Sequence, residues 1–377
     1  MTTRVAHQVS RTRLQIAMDH LHRWVDRDDV PGVSAVVLRQ GQEIGHVCAG
    51  NASWDDGLPG FDNRPTAVDT LYYLASITKP VTAMAGMLAL EEGSLLLSDT
   101  VTSYFPAFAK GGEEKRLVLV RHLLTHTSGL PDMLPENVPL REQHASLDAF
   151  AEAACPVPLL FPPGTQVSYS SAGLLMLARI VELVAGERLQ PLLARHLFAP
   201  LELHNFTFHL PEAAFGRVAR LRLPARAQAT DWDNNSPYWR RLGAPWGGIF
   251  ATVRDTAAIG QYMLEAGFTG GPGRDLDILS PATIRLMTTL QTAGLPTETS
   301  VAAAWGLGWA LGAHWMGDLA TSATFGHIGA SGTMLWVDPP RQLVCCVLTN
   351  KLTDWQAEWR RFATFSTALM AAVPVIA

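Results

Sequence analysis

Strand-like sequence lies at both ends of this chain and helix-like sequence fills the middle, and this distribution restricts the possible folds more than any other feature. Residues 33–49 and 333–349 each contain two β-rich runs around a short turn, at residues 40–42 and 338–340. Such a pattern is typical of a β-hairpin. Residues 305–312 form a further strand-like run. We therefore predict one antiparallel sheet built from both ends of the chain.

Helical periodicity accounts for most of the remaining chain. An amphipathic helix opens it, with apolar residues at positions 14, 17, 18, 21, 24 and 25, and Pro31-Gly32 ends it,. Further helices are predicted over 81–92, 173–185, 255–266, 281–292 and 354–372. The resulting fold class is α+β: an antiparallel sheet flanked by terminal helices, with an inserted, mostly helical subdomain. The predicted regions are 1–75 with 300–377 for the sheet and 76–299 for the helical part.

Composition excludes several classes of function. Hydrophobic residues make up 48% of the 377 residues and charged residues 17%, which supports a large buried core,. A net charge of −5 without basic clusters argues against nucleic-acid and membrane partners,. The first twenty residues lack the apolar run of a secretory signal, so a cytoplasmic location is expected,. The oligomeric state is left open.

Cysteine and histidine spacing predicts no metal and no cofactor. The four cysteines are Cys48, Cys155, Cys345 and Cys346, which fit neither a disulfide framework nor a zinc site,. The adjacent pair would point to opposite faces of a strand as small core residues. The twelve histidines are scattered without ligand spacing,.

The strongest chemical signal is the run Ser-Ile-Thr-Lys at residues 76–79, which follows a short apolar segment and opens a helix. Residues three apart on a helix share a face, so the Ser76 hydroxyl and the Lys79 amine can meet. A serine hydroxyl needs a neighbouring base to act as a nucleophile, and a neutral lysine can serve. The chain has only four lysines, which makes a chance pairing uncommon. Taken alone, the motif also fits Ser76 as an ordinary helix N-cap.

Two further segments carry polar groups suited to the same chemistry. Tyr169 precedes a helix after a Pro-Pro-Gly turn, and a tyrosine near an ammonium can relay protons,. The run Phe-Gly-His-Ile-Gly-Ala-Ser-Gly at residues 325–332 holds glycines that let a strand approach a ligand closely,. Each segment alone also fits a structural role, as a half-buried tyrosine or a glycine-rich hairpin with an incidental histidine. His126, which lacks a charged partner in sequence, is interpreted as structural.

Together, the three elements resemble the serine β-lactamase and penicillin-binding-protein superfamily, whose set is S-x-x-K, S-D-N and K-T-G. Tyr169 with Ser171 is similar to the Tyr-x-Asn of the class C β-lactamase branch. The runs at 123–131, 246–250 and 306–309 also resemble that branch. The resemblance implies that Ser76 is the nucleophile, Lys79 its base partner and Tyr169 a proton relay, and it leaves open which of Lys79 and Tyr169 is the general base. It further implies an oxyanion hole from the N–H groups of Ser76 and Ala330.

Departures from the family pattern bear on the substrate. The third element reads His327-Ile328-Gly329 where the family has Lys-Thr-Gly, so the group suited to a substrate carboxylate is missing,. Ser171 replaces an asparagine that could bind a substrate amide. Both changes favour neutral or apolar acyl groups, and the pattern resembles the family VIII carboxylesterases. The expected partner is a small ester, and Trp232, Tyr238 and Trp246 are candidates to line its pocket.

Other functions stay open at this point. An amide hydrolase such as a β-lactamase or D-amino-acid peptidase would use the same residues, and so would an acyltransferase. A catalytically silent binding protein would keep the fold without turnover. An ordinary α/β-hydrolase is disfavoured because the chain lacks a Gly-x-Ser-x-Gly elbow,.

Overall fold

A computed structural model describes residues 8–55, 62–224, 229–298, 301–352 and 355–376. These ranges omit residues 1, 299, 300 and 377, which bound the predicted regions. They also omit residue 354, the first residue of the last predicted helix. The strands are β1 (Gly32–Arg39), β2 (Gln42–Ser53), β3 (Arg64–Pro65), β4 (Tyr72–Tyr73), β5 (Phe206–Thr207), β6 (Phe250–Ala251), β7 (Ala304–Trp305), β8 (Ala310–Leu311), β9 (Phe325–Gly329), β10 (Thr333–Asp338) and β11 (Leu343–Thr349).

The helices range from single turns to five turns. They are α1 (Arg11–Asp26), α2 (Thr78–Glu91), α3 (Val101–Tyr104), α4 (Val120–Leu124), α5 (Asn137–Glu142), α6 (Leu147–Ala154), α7 (Ser171–Ala185), α8 (Leu189–Leu193), α9 (Pro237–Leu242), α10 (Val253–Leu264), α11 (Pro272–Asp275), α12 (Pro281–Met287) and α13 (Trp355–Ala372). Within the described ranges, no helix is long and apolar enough to cross a membrane.

The main sheet is antiparallel and joins the two ends of the chain, as the sequence predicts. Its strand order is β3-β2-β1-β11-β10-β9-β8-β7. Strand β1 lies between β2 and β11, and Val36 is opposite Cys346 in the pairing of β1 with β11. The sheet therefore depends on a pairing between residues more than three hundred positions apart.

Both predicted hairpins are confirmed. Gln40 and Gly41 connect β1 to β2 with φ angles of 52° and 74°, and two successive positive φ values suit the right-handed twist of a hairpin. Between β10 and β11, the Asp338 carboxylate accepts a hydrogen bond from the Arg341 N–H at 3.0 Å and pairs with its guanidinium at 3.0 Å. The buried Asp338 side chain thus closes the second turn.

The single strand predicted over 305–312 is wrong, because this segment is a tight hairpin of two short strands. Trp305 pairs with Ala310 across β7 and β8. Gly308 adopts a φ of 80° between them, and a Cβ there would lie 2.4 Å from the Ala83 side chain. The chain therefore turns where it contacts α2.

Helices cover both faces of the sheet. On one face α1 packs against α13, and the Trp24 ring contacts Phe362 and Phe365 edge-on at 6.2 and 5.9 Å. On the other face α10 lies close to β10 and β11. Cys345 belongs to the core under α1 and α13, and Cys346 belongs to the opposite core. This alternation is the one expected for adjacent strand residues.

Helix α2 carries the Ser-x-x-Lys motif into the centre of the protein. Almost every residue of α2 is buried, and it packs against α7, where Leu177 contacts Gly86. A second sheet of three short strands, in the order β4-β6-β5, holds the segment that leads into the motif. The sequence analysis did not predict this small sheet.

Candidate active site

Ser76 and Lys79 are in hydrogen-bond contact. Ser76 lies in the short 3₁₀ turn Ala75–Ile77 that leads into α2, and Lys79 lies in the first turn of that helix. Lys79 Nζ lies 2.9 Å from Ser76 Oγ. Ala75 has a φ of 48°, a sparsely populated conformation for a residue with a side chain that often occurs at functional sites. The local backbone thus presents the hydroxyl to the amine.

The Lys79 amine is held in an environment that favours its neutral form. It is 1% exposed, and its second hydrogen bond goes to the Trp246 carbonyl at 2.9 Å. Burial lowers the pKa of Lys79 to about 7, and the nearby Asp132 carboxylate opposes this shift. A large share of the amine is therefore neutral near neutral pH and able to accept the Ser76 proton.

Tyr169 completes the cluster from the loop that precedes α7. Lys79 Nζ lies 4.6 Å from the centre of the Tyr169 ring. The Tyr169 hydroxyl is buried and lacks a partner at hydrogen-bonding distance among the described residues. Burial raises the pKa of Tyr169 well above its usual value, the Asp132 charge adds to this, and the neighbouring Ser76 hydroxyl opposes it. The tyrosine is therefore a neutral proton donor in the resting site.

His327 in β9 is fully buried and uncharged. Its Nδ1 lies 2.7 Å from the Ile328 carbonyl oxygen, which can only accept, so Nδ1 carries the proton and Nε2 is an unprotonated acceptor. Burial, and then the charge of Lys79, lower the pKa of His327 to about 3. The third element therefore supplies no cation at neutral pH.

Gly329 allows β9 to approach the segment before Ser76. A Cβ at Gly329 would lie 2.2 Å from the Leu74 carbonyl oxygen. The same carbonyl accepts a hydrogen bond from the Thr333 hydroxyl at 2.8 Å, and Ser331 donates to the Tyr73 carbonyl at 2.6 Å. These bonds fix the β9–β10 turn beside the Ser76 segment. Ala330 lies in that turn, and its N–H stays our candidate for the second oxyanion donor.

Ser171 contacts a carboxylate that the sequence analysis missed. The Ser171 hydroxyl donates to Asp132 Oδ1 at 2.7 Å, and the Ser171 N–H donates to the same oxygen at 3.0 Å. Asp132 directly follows the Thr-Ser-Gly-Leu-Pro run that resembles the family. That position was the available signal, but its spatial proximity to Lys79 and Tyr169 could not be deduced from spacing.

His126 supports the Tyr169 loop. Its Nδ1 accepts the Ser170 N–H at 3.1 Å, so Nε2 carries the proton,. Its ring lies 4.7 Å from Tyr169 and 4.3 Å from Trp305, measured between ring centres. Burial lowers the pKa of His126 well below its usual value. These contacts agree with a structural role for this histidine.

The three aromatic candidates for the substrate pocket lie in different surroundings. Trp246 contributes its carbonyl to Lys79, while its ring packs on Phe150 at 5.6 Å. The Trp232 carbonyl accepts a hydrogen bond from Arg141 at 2.8 Å. Tyr238 borders a separate cavity of about 690 Å³ whose lining includes none of the three catalytic candidates. Only Trp246 directly contacts the Ser76–Lys79–Tyr169 cluster.

Metal chemistry has no support from side-chain clustering. Within the described part of the chain, no group of three or more His, Cys, Asp or Glu side chains is arranged to hold a metal ion. The cysteines are all present as free thiols. The polar groups that do converge are the hydroxyls and the amine described above.

A mixed helix and antiparallel-sheet fold with a serine–lysine–tyrosine cluster at a helix start defines a class of β-lactamase-like hydrolases. The family model described as Beta-lactamase matches residues 18–367, and the chain belongs to this family.

Proteins with different names are similar to this chain in sequence or in structure. "Penicillin-binding protein 4" of Amycolatopsis lactamdurans is 32% identical over 348 residues, which cover 88% of this chain and 85% of that protein. A penicillin-binding protein homologue from Caulobacter crescentus superposes with a TM-score of 0.79 at 23% identity, covering 97% of this chain and 99% of the other. A family VIII carboxylesterase superposes with a TM-score of 0.75 at 21% identity, with coverage of 97% and 99%. At such identities the two structures establish the fold alone.

Proposed function

We propose that this protein is a serine carboxylesterase that hydrolyses small neutral esters through an acyl-enzyme on Ser76. The observation that carries the proposal is the neutral, buried His327 at the position where the superfamily pattern has a lysine,. A substrate carboxylate would find neither a positive charge at His327 nor a hydroxyl at Ile328. Neutral esters need neither group.

The chemistry follows from the protonation states of the cluster. Ser76 Oγ attacks the ester carbonyl carbon while neutral Lys79 Nζ takes its proton. The oxyanion accepts hydrogen bonds from the N–H groups of Ser76 and Ala330. As the bond to the alcohol breaks, Tyr169 donates its proton to the leaving oxygen, and the Lys79 ammonium then reprotonates the tyrosinate.

Hydrolysis of the acyl-enzyme repeats these steps with water as the nucleophile. A water proton passes to the Lys79–Tyr169 pair as its oxygen attacks the acyl carbon. The same pair returns a proton to Ser76 Oγ when the ester bond breaks. Lysine and tyrosine act as one coupled unit, so the macroscopic pKa values belong to the pair.

An amide hydrolase is the second candidate, favoured by the 32% identity to a protein named as a penicillin-binding protein. An acyltransferase would use the same acyl-enzyme with an alcohol as acceptor. A binding protein without turnover would not react covalently with an activated phosphonate.

The test is hydrolysis of p-nitrophenyl butyrate and of the cephalosporin nitrocefin, by the wild type and by Ser76→Ala. We expect ester turnover that is lost in the variant, with nitrocefin turnover weak or absent. Full activity in Ser76→Ala would remove the proposed nucleophile. Nitrocefin turnover exceeding that of the ester would favour the amide hydrolase, and acyl transfer to added alcohol would reveal the transferase. An inert wild type that resists phosphonate labelling would support the binding protein.

A further inference from the structure

Asp132 is held at the edge of the catalytic cluster with one carboxylate oxygen committed and the other available. Oδ1 accepts both hydrogen bonds from Ser171. The backbone of Asp132 is fixed as well, since its carbonyl accepts the N–H groups of Ser171 and Ala172 at 3.0 Å each. No hydrogen bond or ion pair joins Oδ2 to another described residue. The hydrogen bonds therefore orient the carboxylate, and Asp132 is exposed to solvent.

The negative charge of Asp132 reaches the reacting groups. Its contact Ser171 is only two residues from Tyr169, and its charge raises the pKa of both Lys79 and Tyr169. Asp132 and Ser171 also border a small hollow together with Trp246, whose carbonyl binds Lys79. The contact with Ser171 and the shared border with Trp246 therefore place this carboxylate next to residues that contact or adjoin Lys79 and Tyr169.

A purely structural role does not account for the whole arrangement. Capping the first N–H of α7 uses Oδ1 only, and the side-chain amide of an asparagine could do the same through its oxygen. A carboxylate beside a buried lysine also works against the neutral amine that the reaction needs. An exposed carboxylate with one available oxygen attracts a cationic ligand that enters the site and repels an anionic one.

We infer that Asp132 sets the charge selectivity of the site, favouring acyl groups that carry an ammonium and disfavouring acyl groups that carry a carboxylate. The inference rests on the proposed esterase function and extends it to a ranked substrate class: cationic above neutral above anionic acyl groups. At partly solvated separations of several ångströms, a unit charge changes kcat/KM by about tenfold in each direction. Added salt weakens the effect because the carboxylate is exposed.

The test uses three benzyl esters of similar length that differ in charge. They are the esters of 5,5-dimethylhexanoic acid (neutral), of 4-(trimethylammonio)butanoic acid (the isosteric cation) and of glutaric acid (the monoester anion). We expect wild-type kcat/KM to span about a hundredfold from cation to anion. Asp132→Asn keeps an acceptor oxygen for Ser171. In this variant we expect the cation-to-anion ratio of kcat/KM to fall to within about threefold of the ratio of rate constants for base-catalysed hydrolysis of the same two esters. Comparing the two enzymes cancels the intrinsic reactivity of each ester.

Glu113→Gln is the matched control, because it removes the same charge from an exposed carboxylate paired with Arg116 on the surface. It should keep the wild-type ratios. An unchanged cation-to-anion ratio in a folded Asp132→Asn, with wild-type thermal melting, overturns the inference. So does a wild type that ranks the three esters by their chemical reactivity alone.

Failure of the proposed esterase function gives a different result. If no ester is hydrolysed, phosphonylation of Ser76 by a neutral and an isosteric trimethylammonium p-nitrophenyl phosphonate provides the same comparison. Faster labelling by the cation, lost in Asp132→Asn, supports charge selection, and equal rate ratios in both enzymes overturn it.

Discussion

The pH dependence of acylation tests the central feature of the site, a buried lysine whose pKa is lowered to about 7. With a pKa of about 7, roughly half of the Lys79 amine is neutral at pH 7, about one tenth at pH 6 and about one hundredth at pH 5. An ordinary lysine with a pKa near 10.5 would be neutral in only about one molecule in three thousand at pH 7. The structure therefore predicts that kcat/KM falls about tenfold per pH unit below pH 7.

The direction of this pH dependence follows from the role of Lys79 as a base. The reactive form is the unprotonated amine, so activity is full above the pKa and lost as pH falls through it. His327, His126 and Tyr169 do not titrate in this window. Burial holds the pKa of His327 at about 3 and that of His126 well below its usual value, while that of Tyr169 is raised well above its usual value.

The assay is kcat/KM for p-nitrophenyl butyrate from pH 5 to pH 9, with thermal melting at each pH to confirm that the protein stays folded. We expect one acid limb with a midpoint near pH 7. Lys79→Met should lose activity by at least about 10²-fold at every pH, since general base catalysis contributes about that much. A limb near pH 10, or a flat profile down to pH 5 in a folded wild type, would refute the neutral-lysine argument.

Four further results are expected. Tyr169→Phe should lower kcat by about 10²-fold or more, with a smaller loss for a p-nitrophenyl than for an alkyl ester because nitrophenolate leaves without a proton; equal losses would contradict the relay. Nitrogen NMR of His327 should show a neutral Nδ1–H imidazole from pH 8 to pH 4, and protonation near pH 6 would remove the basis for excluding carboxylates. Gly329→Ala should lower the free energy of unfolding, measured by urea denaturation, by about 1–3 kcal/mol, because the new Cβ would lie 2.2 Å from the Leu74 carbonyl oxygen,. The same variant should have lower activity. Asp338→Asn leaves the Arg341 guanidinium poorly paired and should lower the free energy of unfolding by about 3 kcal/mol,. A decrease below about 0.5 kcal/mol would show that the fold does not need this buried pair.

The proposed roles separate the chemistry of this site from its substrate selection. In our proposal, the cluster of Ser76, Lys79 and Tyr169 provides acyl transfer, a chemistry that is common to esters and amides. His327 supplies no positive charge, and Asp132 is proposed to supply a negative one. Under this proposal, selection among substrates depends on residues that take no direct part in bond breaking.

Local sequence patterns determined much of this protein. The hairpins of β1–β2 and β10–β11 follow from turn residues between β-rich runs, and the Ser76–Lys79 contact follows from their spacing of three at the start of a helix. These features depend on near neighbours in the chain, so periodicity and turn chemistry suffice to predict them. The boundaries of α2 and α7 were predicted to within three residues for the same reason.

Other features depend on distant segments that only the tertiary structure brings together. The turn at Gly308 lies directly against α2 and leaves no room for a Cβ there, and the sheet of β4, β5 and β6 joins segments up to about 180 residues apart. Asp132 gained its candidate role through contacts with Ser171, 39 residues away. The pKa values of Lys79 and His327 arise from burial, which no local pattern specifies. Spacing predicts which groups can meet, and packing decides the charge they carry when they do.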